Sequence, residues 1–112
     1  MDYKPMELNS PLFGLVVRNP VGQEATAVLE NLTDSYGTGN FMHILDEIKR
    51  LGVRNVILDL SQFPVISGLR LLIFLDNILT KAHGFETRYI GTYNGIPLFT
   101  GSLDAAVESF NR

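Results

Sequence analysis

The run Val56-Ile57-Leu58-Asp59-Leu60-Ser61-Gln62-Phe63-Pro64-Val65-Ile66-Ser67-Gly68-Leu69 decides how this chain is built. Val56, Ile57 and Leu58 stand together without polar alternation, as in a central strand covered on both faces. The strand signal extends from Val53 to Leu60. A loop containing Pro64 follows, and Ser67 then precedes a long helical pattern from Gly68 to Ala82, with Gly84 ending it. The apolar positions of that pattern, among them Leu69, Leu72, Ile73, Leu75 and Leu79, cover more than one face, so the helix is expected to be well buried. A hydroxyl at the head of a helix bonds the free N–H groups of the first turn. A phosphate there gains from the same N–H groups and from the helix dipole. Ser67 is therefore a candidate N-cap and a candidate phosphoacceptor.

Outward from this junction the signals are shorter. Leu12 to Arg18 and Glu24 to Leu29 read as two strands around the turn Asn19-Pro20-Val21-Gly22, which makes a β-hairpin. Met1 to Ser10 is polar, contains Pro5, and is expected to be a loosely held lead-in. Asn31 to Asn40 is loop chemistry. Phe41, Ile44, Leu45, Ile48 and Leu51 then fall on one face of a helix, with Asn40 as its expected N-cap and Gly52 as its stop. Beyond Gly84, Thr87 to Thr92 reads as a strand, and Tyr93-Asn94-Gly95 as a turn. Ile96 to Phe99 reads as a short strand confined to a sheet edge by Pro97. Ser102 caps a last helix from Leu103 to Phe110, with Asp104 in its first turn.

The order is β-β-α-β-α-β-(β)-α. It predicts an α/β fold with a mixed four- to five-stranded sheet and helices packed against it. The β-α-β unit around the Gly68 helix should be parallel and the Val53 strand central. At 112 residues the chain is one domain. Hydrophobic residues are 46% of it, enough for a core, and the net charge is only −3. Lysines and arginines are scattered, so no footprint for nucleic acid is expected. There are no cysteines, which removes disulfides, thiolate nucleophiles and cysteine metal sites. The N-terminus lacks the pattern of a signal peptide, and no apolar stretch reaches the ~20 residues that span a bilayer. A cytoplasmic protein without membrane insertion is expected.

Chemistry is sparse. His43 falls on the flank of the first helix, and His83 falls in the last turn of the second, where it suits the helix dipole. Neither belongs to a metal-binding spacing, and no metal or cofactor is expected. Gly37 and Gly39 give G-x-G before a helix, without the third glycine of a dinucleotide loop. Asp34 and Asp59 could form an acid/base pair near one sheet edge, or could cap turns. No third partner accompanies them, so the chain is not expected to be an enzyme.

The strand Val56-Ile57-Leu58-Asp59-Leu60-Ser61 and the helix start Ser67-Gly68-Leu69 resemble the STAS domain family. That fold is shared by anti-sigma factor antagonists and the cytoplasmic parts of sulfate transporters. The resemblance runs from the Leu12 hairpin to the closing helix. It implies a non-enzymatic regulatory module that docks on a protein, either a serine-kinase-type anti-sigma factor or another STAS protein. The implied contact surface is the junction Phe63, Pro64, Val65, Ile66, Ser67 and Gly68, continuing to Arg70, with Asp34 from the neighbouring loop. Two departures stand out. The loop is shorter than usual, and the family's Asp-Ser ahead of Ser-Gly is either deleted or replaced by Val65-Ile66. In the first case Ser67 inherits the phosphoacceptor position, and in the second the switch is gone. The segment from Thr92 to Ile96 is also trimmed. An uncovered strand edge near Ile96 could pair two copies into a homodimer. A small-ligand or lipid-binding module, with the apolar loop and second helix forming a pocket, is the alternative of a different class. A small enzyme using Asp34 and Asp59 is another.

Overall fold

A computed structural model describes residues 1–32, 37–61, 68–93, 96–97 and 101–111. The main sheet has five strands in the order β1-β2-β3-β4-β5. These are β1 (Tyr3–Pro5), β2 (Val16–Pro20), β3 (Thr26–Glu30), β4 (Asn55–Asp59) and β5 (Glu86–Ile90). β1 and β2 pair antiparallel, as do β2 and β3, whereas β3, β4 and β5 run parallel. α1 (Thr38–Arg50) joins β3 to β4, α2 (Gly68–Asn77) lies between β4 and β5, and α3 (Leu103–Ser109) closes the described chain. The expected α/β class, mixed sheet and parallel β-α-β unit are all present.

The strand pattern explains the layers. Ala27, Leu29, Val56 and Leu58 point to one face, where Phe41, Ile44, Leu45 and Ile48 of α1 and Leu75 of α2 cover them. Val28, Ile57 and Ile90 point to the other, where Ala106 and Val107 of α3 cover them. The apolar run read at Val56–Leu58 is therefore buried on both sides, as is Ala27–Leu29 beside it.

Several expectations change. The lead-in is not loose: Tyr3–Pro5 forms the edge strand β1, with Tyr3 opposite Pro20. Met6, Leu8 and Leu12 then pack on the core. The buried carboxylate of Glu47 on α1 accepts hydrogen bonds from the backbone N–H groups of Asn9 and Ser10 and from the Ser10 hydroxyl. The hairpin turn lies beyond Pro20, because Asn19 and Pro20 belong to β2. Asn19 is buried and its side-chain amide donates to the carbonyl oxygens of Thr26, at 2.8 Å, and Glu24, at 3.3 Å. α1 starts before Asn40: Gly37 is its N-cap residue, with φ 87°, and no side chain caps it.

The second helix does not run as one α-helix to Ala82. α2 stops at Asn77 and Ile78–Ala82 is a π-helical turn. The Thr80 hydroxyl donates to the Asp76 carbonyl at 2.7 Å, competing with the backbone ladder at that point. The region read as a last edge strand does not extend the main sheet. β6 (Thr92–Tyr93) and β7 (Ile96–Pro97) form a separate antiparallel pair, and residues 98–99 lie outside the described residues. Ser102 caps α3 as expected, its Oγ accepting from the Ala105 N–H at 3.1 Å. No helix among the described residues is long and apolar enough to cross a membrane.

Candidate functional site

In a parallel sheet the crevice beyond the carboxyl ends of the strands is where ligands and partners meet the fold. Here those ends are Glu30, Asp59 and Ile90. The Leu60 N–H donates to the Ile90 carbonyl at 2.9 Å, so the chain leaving β4 stays tied to β5 for one more residue. The next residue of β5's exit is Gly91, with φ 118°, pressed against the backbone of Leu60 and Ser61. Glu30, Asn31, Asp59 and Ser61 line a small cleft there. Asn31 adopts φ 62°, a left-handed conformation that asparagine tolerates better than most residues and that turns the chain away from β3.

The carboxylates of this cleft are already engaged. Asp59 Oδ1 accepts from the Ser61 N–H at 2.9 Å and from the Ser61 hydroxyl at 2.6 Å. This is the turn-capping role that an Asp at a strand end commonly takes. Glu30 forms an ion pair with Arg18 of β2. The Arg18 guanidinium lies 4.9 Å from the centroid of the Tyr3 ring, and the Tyr3 hydroxyl donates to Asp104 at 2.7 Å. Burial, and after it the bond to Asp104, pushes the Tyr3 hydroxyl well above its ordinary pKa. Among the described residues no group of three or more His, Cys, Asp or Glu is arranged to hold a metal ion.

Next after β4 in element order is α2. Leu75 faces the core, and Asp76 accepts a hydrogen bond from the Tyr89 hydroxyl of β5, which ties the helix to the sheet. Burial, with the Asp76 bond second, raises the Tyr89 pKa. The expectation of a well-buried helix holds on one side only. Ile73 is 56% exposed and Phe74 46%, two large apolar residues in succession on the outer surface. Large apolar groups left in water next to one another mark a contact surface more often than scattered single ones do.

The residues singled out from sequence fall as follows. Asp34, Phe63, Pro64, Val65, Ile66 and Ser67 lie outside the described residues. Gly68 opens α2 and Arg70 lies in its first turn. His43 is exposed on α1. His83 is the C-cap residue of the π-helical turn, at the end of the second helix where a capping role was expected, and it is buried there. It is 5% exposed, its Nδ1 sits 3.1 Å from the Ile78 carbonyl and its Nε2 sits 2.8 Å from Asp46 Oδ1. Its ring also stacks on Phe85, with 4° between the planes. The ring thereby pins the π-helical turn to α1. Glu47 was missed altogether, because at its spacing it reads as part of the polar side of α1. No family model, no curated protein and no solved structure matches this chain.

Proposed function

We propose that this chain is a STAS-like regulatory module that acts in the cytoplasm by docking on a protein partner and catalyses no reaction. The observation that carries the reading is the exposed apolar pair Ile73 and Phe74 on α2, the helix that begins at the strand-to-helix junction. An adjacent apolar pair of this kind gains free energy when a partner covers it, at roughly 25 cal/mol per Å² of apolar area removed from water. The carboxylates nearby support a binding role over a chemical one, since Asp59 caps its own turn and Glu30 pairs with Arg18.

The docking surface in this reading comprises the junction from Phe63 to Arg70, the exposed face of α2 with Ile73 and Phe74, and the Asp34 loop. Its partner, by resemblance, is a serine-kinase-type anti-sigma factor or another STAS protein. Ser67 directly precedes Gly68, the first residue of α2, and in this reading it is the phosphoacceptor, where a phosphate would add charge at the edge of that surface. The test is affinity capture from native extract with wild-type chain, Phe74→Asp and Ser67→Asp, and identification of what is retained. Retention of a kinase-like or STAS protein by the wild type, and its loss with Phe74→Asp, is the expected result. An unchanged retained set with Phe74→Asp contradicts the docking surface, and an unchanged set with Ser67→Asp contradicts the switch alone.

A further inference from the structure

The main sheet has two edges of different character. β1 is three residues long and ends in Pro5, whose nitrogen carries no hydrogen. Such an edge is blunted against pairing. β5 has five residues and no proline, and among the described residues it pairs with β4 alone. The Glu86 N–H donates to the Arg54 carbonyl at 3.0 Å, and the Ile90 carbonyl accepts from the Leu60 N–H. Residues 86, 88 and 90 therefore direct their backbone groups at β4. Thr87, between them, directs its N–H and C=O away from the sheet.

The charges along this edge are arranged unevenly. Glu86 is exposed and has no ion-pair partner among the described residues. Arg88 is half-buried, with its guanidinium carbon 4.4 Å from the centroid of the Phe110 ring. Its Nε donates to the Ser109 hydroxyl at 2.8 Å and its Nη1 to the Thr87 carbonyl at 2.8 Å. These contacts hold a cation at the strand edge with no carboxylate beside it among the described residues.

We propose that β5 pairs antiparallel with β5 of a second copy of this chain, about a two-fold axis at Thr87. In that register the outward N–H of each Thr87 donates to the Thr87 carbonyl of the other copy. The carbonyl has two lone pairs, so the Arg88 bond is retained. Glu86 then stands directly opposite Arg88 of the second copy, and Arg88 opposite Glu86, with the side chains close because these are non-hydrogen-bonded pairs. The neighbouring register, centred on Arg88, sets Thr87 opposite Tyr89 and keeps outward backbone groups paired, but it places the two Arg88 side chains face to face and leaves Glu86 opposite Ile90, so charge selects the register centred on Thr87. The interface is isologous and small, so dimerisation is weak and concentration-dependent. This pairing does not rest on the docking reading above.

The test is sedimentation equilibrium of the full chain over a wide concentration range, with circular dichroism of each variant to check folding. Wild type is expected to show a monomer–dimer equilibrium. Glu86→Arg sets Arg against Arg88, and Arg88→Glu sets Glu against Glu86, so each alone is expected to weaken dimerisation at least about tenfold. Mixed in equal amounts, the two variants present opposite charges at both positions and are expected to pair with each other. A wild type that stays monomeric, a Glu86→Arg that dimerises like wild type, or a mixture that fails to pair overturns the proposal. Should Arg88→Glu not fold, Glu86→Arg decides alone: loss of the dimer supports the pairing and persistence overturns it.

Discussion

Gly91 lies so close to Ser61 that a Cβ built on it would stand 2.9 Å from the Ser61 backbone nitrogen and 3.0 Å from the Leu60 carbonyl carbon. Both partners are backbone, which cannot swing aside as a side chain can. The exit of β5 is thus packed directly on the first residues of the junction that leads to α2. With φ 118°, position 91 also requires a conformation that L side chains rarely adopt. Gly91→Ala should therefore destabilise the fold by about 2 kcal/mol or more. Urea unfolding checks this, and a variant within experimental error of wild type would contradict the close approach.

Glu47 secures the N-terminal segment. Its carboxylate takes the Asn9 and Ser10 N–H groups and the Ser10 hydroxyl while 5% exposed. Hydrogen bonds to a charged group contribute about 1.5–3 kcal/mol each way they are broken, so Glu47→Gln, which turns a donor toward donors, should cost about that much. The Asn9 N–H, foremost, holds the Glu47 carboxyl below its ordinary range. A depressed carboxyl contributes its stability in full above the unfolded value, about pH 4.3, and loses it as pH falls through the folded value. The stability gap between wild type and Glu47→Gln should accordingly be widest near neutrality and narrow on acidification. Paired denaturation curves across that range measure it, and a gap that widens toward acid would contradict the account.

The two ends of the His83 clasp should respond unequally. The His83 ring is buried and makes two polar contacts and a stack, whereas the Asp46 side chain is 67% exposed. His83→Ala leaves the Ile78 carbonyl short of a partner and a space beside Phe85, a loss of about 2–3 kcal/mol. Asp46→Ala removes one exposed partner and should cost under about 1 kcal/mol. Thermal or urea melts of the two variants compare them directly. Equal losses would mean that the ring is held by its contact with Asp46 and not by its packing.

What could be read beforehand follows from how local each signal is. The apolar run at Val56–Leu58 and the periodicity from Phe41 to Leu51 are carried by consecutive residues, and both elements are where they were expected. Tyr3–Pro5 was unreadable because its reason for being a strand lies at Arg18–Pro20 across the sheet. Asn19-Pro20 carries a turn's composition, yet Asn19 is buried and uses its amide inside the hairpin to hold Thr26 and Glu24. Glu47 and His83 are polar residues at helix positions where solvent exposure is the ordinary outcome. Their partners, Asn9, Ser10 and Asp46, come from segments more than thirty residues away. At the candidate site, the strand end at Asp59 and the helix start at Gly68 were legible. The exposure of Ile73 and Phe74 was not, because an all-round apolar helix reads as buried until its outer side is found uncovered.

The central claim is that α2 and its junction form a docking surface. It is tested most directly by calorimetric titration of the captured partner into wild-type chain, Phe74→Asp and Val21→Asp. Val21 is likewise exposed, at 55%, but lies at the turn between β2 and β3, by the opposite ends of the parallel strands. The expected result is wild-type affinity for Val21→Asp and a loss of at least about tenfold for Phe74→Asp, the effect of a contact contributing more than about 1.4 kcal/mol. Equal affinity for wild type and Phe74→Asp would contradict it.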